Sequence, residues 1–371
     1  MTRSPLHDQH VALGGTLIDF AGWQLPVRYS GDLAEHHAVR TAAGLFDLSH
    51  MGEFMVSGPD AAAFLDYALV GHMSRVGLGR AKYTMICQED GGAIDDLVVY
   101  RRDWDTFMVV ANAANVAVVL GELTARLEGF DATIEDETLT VALIAVQGPL
   151  SAGIVADMCL LGDDDVHALK YYAGVNIVLE GGIHAFCART GYTGEDGYEL
   201  FVGADEAPAV WQLALAAGRD AGIVPCGLAS RDTLRLEAGM PLYGQELSRE
   251  ITPVQAGLGR IVNLGTEAAP RGDFVGRAAL ERALAAPPDE VLVGLAGQGR
   301  RAARTGYSVV SAEGTVAGAV TSGAPSPTLG HQIAMAYVPT ALSEIGTEVQ
   351  VDVRGRGEPM SVVALPFYKR G

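Results

Sequence analysis

Lysine is nearly missing from this chain of 371 residues: Lys82, Lys170 and Lys369 are the only three among 26 basic residues. None stands in a G-x-x-x-x-G-K context, which excludes a P-loop and leaves few candidates for a lysine nucleophile. No Lys/Arg-rich run occurs either, and 45 acidic residues against 26 basic ones give a formal charge of −19. That balance argues against nucleic acid and anionic membrane as partners. Cysteine is scarce as well. Cys87, Cys159, Cys187 and Cys226 lie far apart in apolar surroundings with no C-x-x-C pair, so they read as reduced core residues, not as a metal site or a disulfide frame. No apolar run approaches the length of a membrane span, and Met1–Gln9 lacks the apolar core of a signal peptide. The expectation is a soluble, cytoplasmic protein.

What the chain does have is material for large cores, since 49% of it is hydrophobic. Its length implies two or three domains. A helix is expected over residues 33–43, with Asp32 as N-cap and Gly44 as its stop. His36 and His37 are adjacent and cannot share a helix face as two metal ligands would, so solvated or capping histidines are expected. A strand over 54–57, a helix near 60–69 opened by Pro59, a strand over 106–111, a helix over 114–127 and a strand over 139–146 follow. Strands return over 175–203, with helices near 205–217 and 230–238. A helix over 275–285 then ends at Ala286-Pro-Pro-Asp289. Six short strands beyond it, near 291–296, 307–311, 316–321, 333–338, 348–353 and 361–365, suit a small all-β barrel or sandwich. The mixture of hairpins and crossovers is that of an α+β architecture.

The most informative stretch is Gly91-Gly-Ala-Ile-Asp-Asp-Leu-Val-Val-Tyr100. It reads as the second strand of a hairpin whose first strand is Tyr83–Cys87. Alternation puts Ile94, Asp96, Val98 and Tyr100 on one face and Asp95, Leu97 and Val99 on the other. One aspartate must then enter an apolar surface, a costly placement that collects at functional sites, unless both cap the turn and stay wet.

Three glycines in Arg189-Thr-Gly-Tyr-Thr-Gly-Glu-Asp-Gly197 imply positive φ values or a close approach of ligand to backbone. Arg231 and Arg235 share a helix face with Glu237 nearby, which reads as a salt-bridged surface. Ser49 and His50 lack a nucleophile elbow or triad context. Gly77-Leu-Gly-Arg80 and Gly257-Leu-Gly-Arg260 lack the third glycine of a dinucleotide loop.

Six segments in order, Asp19-Phe-Ala-Gly-Trp-Gln-Leu-Pro26, Phe46-Asp-Leu-Ser-His-Met-Gly-Glu53, Gly91-Gly-Ala-Ile-Asp-Asp96, Arg189–Gly197, Ser230-Arg-Asp-Thr-Leu-Arg-Leu-Glu-Ala238 and Ser322-Gly-Ala-Pro-Ser-Pro-Thr-Leu-Gly330, closely resemble the T-protein of the glycine cleavage system. The resemblance spans essentially the whole chain. It implies a three-domain cloverleaf around a central folate tunnel with a β-barrel-like C-terminal domain. In this sequence that corresponds to residues 1–270 as two interleaved α+β lobes, 271–288 as a linker helix and 289–371 as the barrel.

The resemblance further implies an aminomethyltransferase that takes an aminomethyl group from the lipoyl arm of H-protein. It releases ammonia and passes the one-carbon unit to tetrahydrofolate, with no metal. Carried over by position, Asp96 is the catalytic carboxylate, on a strand face shared with Val98 and Tyr100 that would line the tunnel. Glu195 would accept the donor pair of the pterin, Arg231 would contact ligand, and Tyr83, Asn112 and Tyr368 would fall at tunnel positions. Two relatives of this type compete: folate domains acting after dimethylglycine or sarcosine oxidation, and non-enzymatic folate-binding iron–sulfur maturation factors. The first usually carry a flavin domain, for which there is no room. The second carry a cysteine in a segment that here reads Gly239-Met-Pro-Leu-Tyr-Gly-Gln-Glu246, without one.

Overall fold

A computed structural model describes residues 1–371. The chain divides into two compact units, one of Met1–Ala68, His72–Thr84 and Leu97–Asp232, the other of Leu69–Gly71, Met85–Asp96 and Thr233–Gly371. The architecture is α+β, as the alternation of pattern requires.

In the first unit a seven-stranded mixed sheet runs in the order Cys159–Leu161, Gly174–Leu179, Ile183–Ala188, Gly197–Gly203, Val141–Gln147, Gly44–Asp47, Val224–Pro225. One face carries Leu45, Ile144, Val146, Tyr198 and Leu200 against Ile154 and Val155 of the helix Ser151–Asp157 and Val210 and Trp211 of the helix Ala207–Ala217. Each such side chain taken out of water contributes about 1.5–3 kcal/mol, before the entropy of ordering it. A three-stranded sheet of Thr2–Arg3, Trp23–Arg28 and Thr16–Phe20 lies at the N-terminus, an element that the sequence patterns did not announce.

The helix expected after Asp32 is Asp32–Thr41, but its N-cap is Gly31 and Asp32 is its first residue. Acidic Asp32 and Glu35 in the first turn and Arg40 in the last complement the helix dipole. Gly44 does not stop it. Gly44 opens the strand Gly44–Asp47, where a Cβ would overlap the Val39 side chain. His36, expected to be solvated or capping, is fully buried, while His37 is exposed.

The strand Ala93–Asp103 follows the turn at Gly91, which has φ +90°. Asp95 is 0% exposed while Asp96 is half-buried, so alternation separates the two carboxylates and the wet-turn alternative falls. Within the first unit this strand pairs with Thr106–Ala111, and that strand with Gly52–Ser57. Val98, Val110 and Glu53 form one cross-strand row, and Tyr100, Met108 and Met55 the next. Residues directly opposite share a face, so Glu53 joins the face of Val98 and Tyr100.

In the second unit all six expected strands are present and close into a barrel in the order Glu290–Gly297, Gln332–Pro339, Val316–Pro325, Ser308–Val310, Glu348–Asp352, Gly357–Val363. Leu295, Val309, Val320, Ala336, Val351 and Val362 fill it. Full closure leaves no unpaired strand edge.

Candidate functional site

The glycine-rich loop 189–197 joins the strands Ile183–Ala188 and Gly197–Gly203. Its ends are clasped by a bidentate ion pair, Arg189 Nε donating to Asp196 Oδ1 at 2.8 Å and Nη2 to Oδ2 at 2.6 Å. Its middle is filled by the amide of Gln147, which donates to the Thr190 carbonyl at 3.1 Å and accepts from the Thr193 hydroxyl at 3.0 Å. Gly191 and Gly197 are required here, since a Cβ at either would overlap that amide. Only Gly194 needs glycine for its conformation, at φ +80°. The close approach inferred from these glycines is therefore to Gln147, a residue of the protein itself.

So fixed, the loop presents Glu195. The Thr193 hydroxyl accepts the Glu195 N–H at 3.3 Å, and Arg40 Nη1 donates to Glu195 Oε1 at 3.0 Å and to the Thr193 carbonyl at 2.7 Å. No protein donor reaches Glu195 Oε2. Tyr192 lies on the same loop, and the Arg231 guanidinium stacks over its ring at 4.8 Å, a cation–π contact.

Arg231 is half-buried in the helix Leu228–Glu237. The start of that helix is set by Glu35, whose carboxylate accepts the Gly227 N–H at 2.8 Å, and those of Tyr29 at 2.6 Å and Gly31 at 3.0 Å. The helix Asp32–Thr41 thus carries two anchors. Arg40 holds the loop, and Glu35 holds the approach to Arg231.

His50 sits close enough to Arg231 to feel its charge. Burial, reinforced by Arg231, pulls the imidazole down to about 4, against a smaller opposing effect of Asp47. Ser49 Oγ and His50 Nδ1 are each buried without a hydrogen-bond partner, so the two are not bonded as a catalytic dyad. Asp47 is wholly buried, and burial alone would raise its pKa, but the hydrogen bond and charge of His10, at 2.7 Å, with further bonds from Ser4 and the Ser49 N–H, hold it below the usual carboxylate range. Tyr29 closes the chain with its hydroxyl 2.8 Å from His10 Nδ1. This network ties the N-terminal segment to the strand Gly44–Asp47.

Of the residues singled out from the sequence, Tyr83, Val98, Tyr100, Asn112, Glu195 and Arg231 belong to the first unit, and Asp96 and Tyr368 to the second. Tyr83, Asp96, Val98, Asn112, Arg231 and Tyr368 are each half-buried. Tyr100 differs. It is 1% exposed, packed edge-on against Phe186 and Phe201, with its hydroxyl 2.9 Å from Thr190 Oγ1 and donating to Glu199 at 3.2 Å. Burial and the neighbouring Glu199 push its pKa well above the ordinary tyrosine value. In this structure Tyr100 is a support for the start of the loop rather than an open lining.

The salt-bridged helix surface expected around Arg235 and Glu237 is in fact buried, both residues being at most 2% exposed. Arg235 Nη1 pairs with Glu246 Oε2 at 3.0 Å and Nη2 donates to Ser322 Oγ at 2.8 Å. Glu237 instead accepts from Ser326 Oγ at 2.5 Å and from the N–H and hydroxyl of Thr328 at 3.0 and 2.7 Å, while its carbonyl accepts the Tyr368 N–H at 2.8 Å. The Ser322–Gly330 motif is thereby explained as a frame for the second half of the arginine helix.

Sequence reasoning missed Arg40, Gln147 and Glu53. The i, i+4 spacing of His36 and Arg40, both on one helix face, was the one available signal for Arg40. Glu53 is fully buried and neither carboxylate oxygen has a protein donor. Burial, with Asp136 and Glu137 nearby, pushes its pKa well above the usual range.

Residues 6–266 match the family model of the GCVT N-terminal domain, and residues 290–369 that of the glycine cleavage T-protein C-terminal barrel domain. The chain belongs to the glycine cleavage T-protein family. Among its relatives, the aminomethyltransferase of Streptomyces coelicolor is 59% identical, with 100% of this chain and 98% of that protein aligned. The aminomethyltransferase of Bacillus subtilis is 43% identical over 100% of both chains. The crystal structure of the glycine cleavage system aminomethyltransferase T from Bartonella henselae superposes with a TM-score of 0.90 at 36% identity, covering 99% of this chain and 98% of that one.

Proposed function

We infer that this protein is the aminomethyltransferase of a glycine cleavage system. The observation that carries the reading is the full-length identity of 59% to an aminomethyltransferase, with nothing substantial left over in either chain. As the finer reading, the one-carbon acceptor is tetrahydrofolate, the donor is the aminomethylated lipoyl arm of H-protein, and the reaction takes place in the cytoplasm. Residues 1–270 would form the folate-binding lobes, 271–288 the linker and 289–371 the barrel.

The site residues suit such a co-substrate. Glu195 is an ionisable acceptor with one oxygen unclaimed by protein, and a pterin presents an amino group beside a ring N–H, a donor pair that a carboxylate accepts. Arg231 supplies a cation stacked over Tyr192 of the same loop. Tyr83, Val98, Asn112 and Tyr368 offer half-buried surface. Asp96, on the half-buried face of its strand, is the group to orient the attacking folate amine and to stabilise the positive charge that develops as ammonia leaves. Tethered donor and bound acceptor bring the two reactants together without further chemistry from the protein. Purified protein given aminomethylated H-protein should release ammonia in a tetrahydrofolate-dependent manner, and free glycine should not substitute. Absence of any reduced-folate binding in calorimetry would overturn the reading.

A further inference from the structure

Arg40 and Glu195 are 155 positions apart and meet at 3.0 Å with side chains only 4% and 5% exposed. Two charges so far from water are expensive to keep unless each compensates the other. An ordinary structural pair would exhaust its carboxylate on such a contact. This one does not: Arg40 takes Oε1 through a single nitrogen, the same nitrogen that holds the Thr193 carbonyl at 2.7 Å, and Oε2 has no protein donor. Each carboxylate oxygen offers two acceptor positions, so Oε1 keeps one for a ligand and Oε2 keeps both.

The surrounding geometry confines the glutamate backbone just as closely. Thr193 Oγ1 accepts the Glu195 N–H at 3.3 Å while donating to Gln147, and the next residue, Asp196, is clasped by Arg189. These bonds fix the backbone and leave the three torsions of the glutamate side chain without a hydrogen bond inside the loop. The bond that reaches its carboxylate comes from Arg40.

We propose that Arg40 is a positioning residue that sets the carboxylate of Glu195 in the orientation in which it receives two adjacent N–H donors of a heteroaromatic ring. The proposal rests on the reading of Glu195 as the ring-recognising carboxylate. It assigns Arg40 to affinity and not to the chemical step. Loss of Arg40 leaves a buried anion that must turn toward water or another donor, and the acceptor pair is no longer presented.

The test is a double-mutant cycle on tetrahydrofolate binding, read by calorimetry, with thermal melting and steady-state kinetics for each variant. Glu195→Gln should weaken binding about 30-fold and Arg40→Gln about 10-fold, the size of a lost charged hydrogen bond. The KM for tetrahydrofolate should rise in Arg40→Gln while kcat stays within about threefold. The double variant should bind no worse than Glu195→Gln alone, because Arg40 has nothing left to position. Arg40→Lys keeps the buried charge and one donor, so it should recover part of the affinity and supplies the measurement should Arg40→Gln fold poorly. Independent, multiplicative losses in the double variant overturn the proposal, as does a lowered melting temperature with unchanged Kd in Arg40→Gln or Arg40→Lys. A Glu195→Gln variant that binds tetrahydrofolate as well as the parent instead overturns the assignment of Glu195, and the role of Arg40 falls with it.

Discussion

Arg235 and Glu246 form an ion pair of 3.0 Å with side-chain exposures of 3% and 0%. Removing one partner of such a pair leaves an uncompensated charge in the interior. Arg235→Met should therefore destabilise the protein by about 3–5 kcal/mol in denaturant unfolding, whereas Arg235→Met combined with Glu246→Leu should recover a substantial part of that loss. A single variant as stable as the parent would mean that water reaches Glu246.

The adjacent aspartates offer an internally controlled comparison. Asp96→Asn should keep the fold and folate binding and lower turnover by a factor on the order of 100 or more, as expected for a positioned acid–base or charge-stabilising group. Asp95 lies on the buried face of the same strand, so Asp95→Asn should cost stability, about 1–3 kcal/mol, with turnover within a few-fold. Turnover and thermal melting of both variants decide the matter, and an exchange of the two phenotypes would reverse the roles given to the two faces.

Glu53 gives a pH dependence of unusual sign. Its folded pKa is raised, by burial first and then by Asp136 and Glu137. Between the ordinary glutamate value of about 4.3 and that raised value the folded state holds a proton that the unfolded state has lost, so stability falls as pH rises through the window. Glu53→Gln keeps the neutral shape without the titration. It should be more stable than the parent at pH 8 and equal or less stable at pH 4. Melting curves of the pair across that range test it, and parallel profiles would show that Glu53 is charged in the fold.

His50 acts in the opposite direction. Burial and Arg231 hold its folded pKa at about 4, below the ordinary value of about 6.5. The unfolded chain takes up a proton first, so its contribution is present above pH ~6.5 and is lost as pH falls toward 4, on the order of 3 kcal/mol in all. His50→Phe, which cannot titrate, should flatten this part of the acid limb. Retention of the full acid sensitivity would assign it to other groups.

How legible was all this beforehand? The barrel strands were, because turns and alternation mark each one, and the aspartate strand was, because period-two alternation separates Asp95 from Asp96 without reference to anything distant. The strand Gly44–Asp47 was not. All four of its residues are buried, so no alternation exists to detect. Arg40 was hidden for another reason: its partner is 155 positions away, and its spacing from His36 marks a helix face without saying that this face meets a carboxylate. Gln147 was misread through its consequence. Gly191 and Gly197 signalled that something comes close, and the chain could not say that the intruder was its own amide.

The helix Asp32–Thr41 holds the loop through Arg40 and the start of the arginine helix through Glu35, and both anchors sit within two turns of one short element. If it breathes, the loop and the start of the arginine helix are released together. Amide exchange at Thr193 and Glu195 should then share an opening free energy with exchange at Gly227, in the manner of a single cooperative unit. Binding competence in this protein would accordingly be lost at one temperature and not in stages, and a ligand that protects the loop would protect the helix start to the same degree.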